Sequence, residues 1–171
     1  IGPVLAVIPI SFSSASFVSY PLPGFSLQWY EKVLAPQPWL PALRNSLVVG
    51  AGATLIATTL GTLAALGLAR NTLPCRSSLL AVIISPMIVP VVISGVAMYF
   101  IFARVGLVAS FGGMILAHAV LGVPFVVVTV TATLRNFDAN LVKAAYSLGA
   151  SPVHAFRTVT LPLIAPGVIS G

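Results

Sequence analysis

The chain has 171 residues, 58% of them hydrophobic and only 6% charged, with a mean hydropathy of +1.11. Soluble domains carry roughly 25% charged residues; a chain this apolar cannot coat a water-soluble fold and is too hydrophobic for disorder, so an integral membrane protein with lipid as its surroundings is expected. Eight Lys+Arg against two acids give a net charge of +6, but the cations lie singly along the sequence, not clustered among aromatics, which argues against nucleic acid as a partner.

In chain order, the charges delimit the apolar stretches. Ile1 to about Phe12 is apolar and gives way to Ser13-Ser14-Ala15-Ser16. It reads as a truncated first helix within 1–18, because the Met and basic n-region of a signal peptide are missing. The segment 19–44 reads as external. It carries Pro21, Pro23, Pro36, Pro38 and Pro41, which break regular structure, and Trp29, Tyr30 and Trp39, which suit a membrane–water interface. Uncharged stretches follow between Arg44 and Arg70, Arg76 and Arg104, and Arg104 and Arg135. A helix needs about 20 apolar residues to cross the hydrocarbon, so spans are expected at about 45–69, 78–103 and 111–134. A cytoplasmic loop over 135–160 and the start of a further span at 161–171 complete a membrane domain over 45–171. The fold class is all-α, a polytopic transmembrane helical bundle. The sequence starts at Ile1, not Met, and stops at Gly171 inside an apolar run, so truncation at both ends is expected. The single cysteine, Cys75, has no internal disulfide partner.

Loop cations set the orientation. Arg70, Arg76, Arg135, Lys143 and Arg157 fall on one side and Lys32, Arg44 and Arg104 on the other, which makes the first side cytoplasmic. Within the spans, Ala53, Ala57, Gly61, Ala65 and Ala69 recur every four residues, a column that admits a second helix closely. Thr54, Thr58 and Thr62 form the adjacent column, read either as further packing or as the lining of a transport path. Pro86 and Pro90 each delete a backbone hydrogen bond and bend the second span. His118 is a candidate for substrate contact or gating as an intramembrane ionisable residue, although a neutral histidine bonded to nearby backbone explains it equally simply.

The segment after the third span is the most informative. Asp138 caps a helix start, and Leu141, Ala144, Ala145 and Leu148 fall on one apolar face. Gly149 sits where a helix C-terminus wants a left-handed residue, and Ser151-Pro152 restarts a helix in the preferred cap order. Leu161-Pro162 then leads into the membrane. The pattern describes a helix–turn–helix on the cytoplasmic side. It suits either transmission of a push from a soluble partner or an amphipathic re-entry on the membrane surface.

Ala144-Ala145, Gly149 and the later Val159-Thr160-Leu161-Pro162 resemble the "EAA" motif of binding-protein-dependent ABC transporter permeases. The Leu148-Gly149-Ala150-Ser151-Pro152 core and the run from Phe156 to Pro162 extend the resemblance, which covers Arg44 to Gly171. It implies a type I importer permease of the bacterial inner membrane with no catalytic site and no cofactor of its own. It further implies a cytoplasmic ATPase subunit that binds ATP, a second permease subunit and a periplasmic solute-binding protein. Lys143, Ala144, Ala145, Gly149, Ala150, Ser151, Pro152, Phe156, Leu161 and Pro162 would form the ATPase-coupling loop. The motif's Glu is Lys143 here, a reversal of charge; the expectation is that Ala144, Ala145 and Gly149 dock by shape while Lys143 faces an altered partner or lies off the contact. Pro9-Ile10-Ser11-Phe12-Ser13-Ser14 and the run from Pro23 to Tyr30 resemble the spermidine/putrescine permease branch, which implies a polyamine as the small-molecule substrate. No Gly-rich nucleotide loop is present in the sequence, so ATP hydrolysis belongs to another chain. A membrane enzyme would need a nucleophile–base pair or metal ligands, and a passive channel would need a polar lining, for which only the Thr column offers support.

Overall fold

In lipid every backbone N–H and C=O must find its partner inside the chain. The computed structural model, which describes residues 2–19, 21–35, 39–70 and 73–171, is accordingly helical. Its one β feature among the described residues is an isolated antiparallel bridge between Ser13 and Phe25. The chain forms two compact units, Ile1–Leu47 and Val48–Gly171.

In the first unit, α1 (Gly2–Ile10) leads into a Ser-rich turn, and α2 covers Gln28–Leu34. The turn and α2 are tied by side-chain hydrogen bonds. Trp29 Nε1 donates to the Ser13 carbonyl at 3.0 Å and Gln28 Nε2 to that of Ser14 at 2.8 Å. The Phe12 and Tyr30 rings lie 5.2 Å apart, and the Lys32 ammonium sits 4.4 Å from the Trp29 ring centroid. The stretch read as proline-broken therefore contains a short helix. A longer one, α3 (Trp39–Leu68), starts six residues before the expected span at Asn45. Pro41 does not interrupt it, because a first-turn proline loses no intrahelical bond. Tyr20, Pro36 and Pro38 lie outside the described residues.

In the second unit, α6 (Phe111–Arg135) is the central post. Apolar association has little driving force in lipid, so packing rests on close backbone approach at small residues. The α3 column supplies it: Ala53, Ala57, Gly61 and Ala65 are buried, whereas Ala69 is exposed. A Cβ at Gly61 would stand 2.6 Å from Val126 Cβ, and one at Gly122 3.1 Å from Ala57 Cβ. On another side of α6, α9 (Leu161–Ser170) brings Gly167 against Thr133 and the Thr129 carbonyl. Ala65, Val126, Val130 and Ile164 close the core where α3, α6 and α9 meet. Pro124 is fully buried within α6, which continues through it.

The stretch read as one bent span at 78–103 is two helices, α4 (Arg76–Ile88) and α5 (Val91–Val105), meeting at 106°. Val89 is extended (φ −71°, ψ 133°) and Pro90 has ψ 131°. A residue before proline is pushed out of the α region, so Pro90 turns an expected kink into a break. Pro86, by contrast, is absorbed inside α4. Among the described residues three helical segments are long and apolar enough to cross a membrane, Trp39–Leu68, Phe111–Arg135 and Pro152–Ser170, or four with the bent pair counted as one. The protein is a polytopic all-α helical bundle.

Candidate functional site

Between α6 and α9 the chain makes an elbow from α7 (Ala139–Ser147) and α8 (Pro152–Ala155). Each bend has a local cause. Asp138 Oδ1 accepts the Asn140 N–H at 2.9 Å and so caps α7. At the far end the Ala150 N–H bonds the Ala145 carbonyl at 3.0 Å and the Gly149 N–H bonds that of Tyr146 at 2.9 Å. This nested pair is a Schellman closure, which requires a left-handed residue at its centre; Gly149 has φ +84°. Ser151 Oγ then accepts the His154 N–H at 3.3 Å, and Pro152 occupies the first turn of α8.

The chain does not restart at Leu161-Pro162. A π turn over Phe156–Thr160 joins α8 to α9, with the Leu161 N–H reaching back to the Phe156 carbonyl. Pro162 has no N–H to offer the carbonyl four residues back and its ring would collide with it; the wider turn relieves that conflict. Helix is therefore continuous from Pro152 to Ser170, a segment of 19 residues. The stretch expected to begin a span at Leu161 is the later part of a helix that starts nine residues earlier, at Pro152.

The elbow brings four of the ten residues singled out for it to one groove. Ala145, Gly149, Ala150 and Ser151 line one open groove of about 540 Å3 with Leu148, His154 and Thr158. Lys143, Ala144 and Pro152 are exposed, and Phe156 is half-buried at the start of the π turn. The face of α7 read as apolar is largely uncovered among the described residues: Leu141 is 46% and Leu148 89% exposed, Ala144 is exposed and Ala145 half-buried. Leu148 and His154 were not among the residues expected to act. Leu148, expected on the apolar face, is the C-cap residue of α7 and is 89% exposed. The Asp138 carboxylate is engaged as a cap. The elbow therefore offers shape and apolar contact, with a cation at Lys143 and an imidazole at His154.

The residues considered for a transport path are dispersed. Thr54 is exposed, Thr58 half-buried and Thr62 buried, its hydroxyl without a hydrogen-bond partner among the described residues. Pro86 is half-buried and Pro90 exposed at the α4–α5 break. His118 is exposed on α6, with Nδ1 2.9 Å from the Met114 carbonyl oxygen one turn back. A carbonyl oxygen only accepts, so Nδ1 is the donor in this contact within its own helix. Among the described residues no group of three or more His, Cys, Asp or Glu is placed to hold a metal ion.

The stretch that holds this elbow matches known proteins in sequence. Residues 57–171 match the family described as binding-protein-dependent transport system inner membrane component. The chain belongs to this family. Relatives of this permease-family member include the spermidine/putrescine transport system permease protein PotC of Haemophilus influenzae, 30% identical over 169 residues, covering 99% of this chain and 65% of that protein. The putrescine transport system permease protein PotI of Escherichia coli is 33% identical over 179 residues, covering 99% and 63%. The molybdenum transport system permease protein ModB of Mycobacterium bovis is 32% identical over 142 residues, covering 76% and 54%. The chain spans just under two thirds of the length of the polyamine relatives it matches. The family is one of inner-membrane transport components.

Proposed function

We propose that the protein is the permease subunit of an ABC importer for a polyamine, working with a separate ATPase, a second permease and a periplasmic binding protein. The observation that carries this reading is similarity over 99% of the chain to PotC and PotI, permeases whose names give spermidine and putrescine. The elbow over 138–161 is the part that meets the ATPase. It is bounded by two capped turns and joined without interruption to α9, so a displacement at Leu148 or Ala145 is passed directly to a membrane helix. Docking is by shape: Ala144, Ala145 and Gly149 present little side chain, and Lys143 stands beside the contact and contributes no acid to it. His118 and the Thr54–Thr58–Thr62 column belong to the membrane part, where the hydroxyls and imidazole are the polar groups available to a passing solute. The stretches Asn45–Ala69, Ser77–Ala103 and Val105–Leu134 contain no carboxylate, so an amine crossing beside them would meet aromatic faces and backbone carbonyls instead.

The decisive experiment is uptake of radiolabelled putrescine and spermidine by cells lacking the full-length protein and by cells in which it is restored. Restoration of ATP-dependent putrescine uptake is the expected result. Restored uptake of molybdate with none of either amine would replace the polyamine reading with an oxyanion one, which the similarity to ModB favours as the second reading. Uptake that persists without the ATPase would replace both with a channel.

A further inference from the structure

Away from the elbow, Ala69, Arg76, Thr131, Leu134 and Arg135 line an open cavity of about 160 Å3 between the start of α4 and the end of α6, with both arginines exposed. Three features make it a receptor for an anion. Two guanidiniums line one small space, and each offers a planar fork of donors suited to phosphate oxygens. The Thr131 hydroxyl is buried and has no hydrogen-bond partner among the described residues; it does not make the bond to the preceding turn that Thr129 and Thr133 make on the same helix. A buried unsatisfied hydroxyl is costly and calls for a partner. Asp138, the one acid in this unit of the sequence, has its carboxylate engaged in capping α7.

A second cavity, of about 190 Å3, shares Thr131 and Arg135 with the first and is otherwise apolar, running past Leu80, Ile84 and Val128 between α4 and α6. The two together are amphiphilic, with cations and a hydroxyl at one end and a hydrocarbon groove leading from them along the helices. A free phosphate would use only the first. We propose that this site binds an anionic phospholipid, its phosphodiester held by Arg76, Arg135 and Thr131 and the upper part of an acyl chain laid along Leu80, Ile84 and Val128. Basic pockets between transmembrane helices recognise anionic headgroups in this way. The bound lipid would tie α4 to the end of α6 just ahead of the elbow. This proposal is independent of which solute is transported.

The test uses the full-length protein, purified from its membrane with the subunits that accompany it and equilibrated with vesicles of equal parts phosphatidylglycerol and phosphatidylcholine. Retained lipid is read by mass spectrometry after washing. The wild type is expected to enrich phosphatidylglycerol. The double variant Arg76→Gln/Arg135→Gln is expected to lose about tenfold or more of that enrichment, and Arg76→Lys/Arg135→Lys to keep part of it. Ile84→Trp fills the groove while leaving both cations in place, and is expected to lose enrichment as well; it decides the matter if the double glutamine variant does not fold. Inorganic phosphate at millimolar concentration is expected not to displace the lipid. The proposal is overturned if the wild type shows no enrichment, if the glutamine variant retains it, or if phosphate displaces the lipid while Ile84→Trp has no effect, which would make the site one for free phosphate.

Discussion

Gly149 isolates the backbone contribution to the elbow. Its φ is +84°, and a Cβ built there meets nothing within 4 Å. Gly149→Ala therefore introduces no clash with any neighbour, and its whole cost is that of holding an L-residue in the left-handed region, about 1–2 kcal/mol. Asparagine tolerates that region better than other side chains, so Gly149→Asn is expected to cost less although its side chain is larger. The relevant fold is local. The Ala150 N–H to Ala145 carbonyl bond, at 3.0 Å, exists only while residue 149 is left-handed. A loss of about 1–2 kcal/mol corresponds to a rise of roughly 5- to 30-fold in the opening of that turn. Hydrogen exchange at the Ala150 amide measures it directly, with ATP-coupled uptake by the assembled transporter as the functional readout. The expected order of protection is Gly, then Asn, then Ala. Equal protection in Gly149→Ala and wild type, or weaker protection in Gly149→Asn than in Gly149→Ala, would refute the assignment of this turn to backbone conformation.

The other predictions concern packing, capping and charge. Gly61→Ala places a Cβ 2.6 Å from that of Val126 and is expected to destabilise the bundle by about 1–3 kcal/mol, read as a lower unfolding temperature in detergent; adding Val126→Ala should restore part of the loss. Gly50→Ala, on the same helix with open space around it, should raise stability by about 0.5–1 kcal/mol in the same assay. Ser151→Ala removes the acceptor for the His154 N–H and should cost about 1 kcal/mol, detected as faster exchange at the His154 amide. Lys143→Glu, at an exposed position, should change stability by no more than about 0.5 kcal/mol and leave uptake unchanged. A clear gain in uptake would mean that the acid belongs in the contact and that docking by shape alone is incorrect.

The sequence was most readable where one residue type dictates one conformation. Asp138, Gly149 and Ser151-Pro152 each announce a cap or a left-handed turn, and each adopts it. The small-residue column was readable because its period is that of a helix face, and four of its five members are buried. Proline was harder to read, because its effect depends on its position in a helix and on what surrounds it. Pro41 lies in a first turn and is harmless, Pro86 and Pro124 are absorbed, Pro90 breaks the chain by 106°, and Pro162 widens a turn without ending the helix. Thr131 and Arg76 were invisible as a pair, because 55 positions separate them and only the antiparallel packing of α4 on α6 brings them to one cavity. The exposure of Leu148, at the C-cap beside Gly149, is something periodicity alone does not show.

The π turn over Phe156–Thr160 also bears on how this segment tolerates length changes. Such a turn holds one more residue than an α turn, as though a single residue had been inserted into a regular helix. Removing one residue between Phe156 and Thr160 would close the wide turn to an α turn, and the faces on either side of it would stay in register. Leu148 and the groove beside Gly149 would keep their azimuth while Ile164 and Gly167 kept their seats on α6. In this segment, then, the wide turn acts as slack: a one-residue gap in a related sequence is taken up there, and the direction in which the elbow faces is preserved.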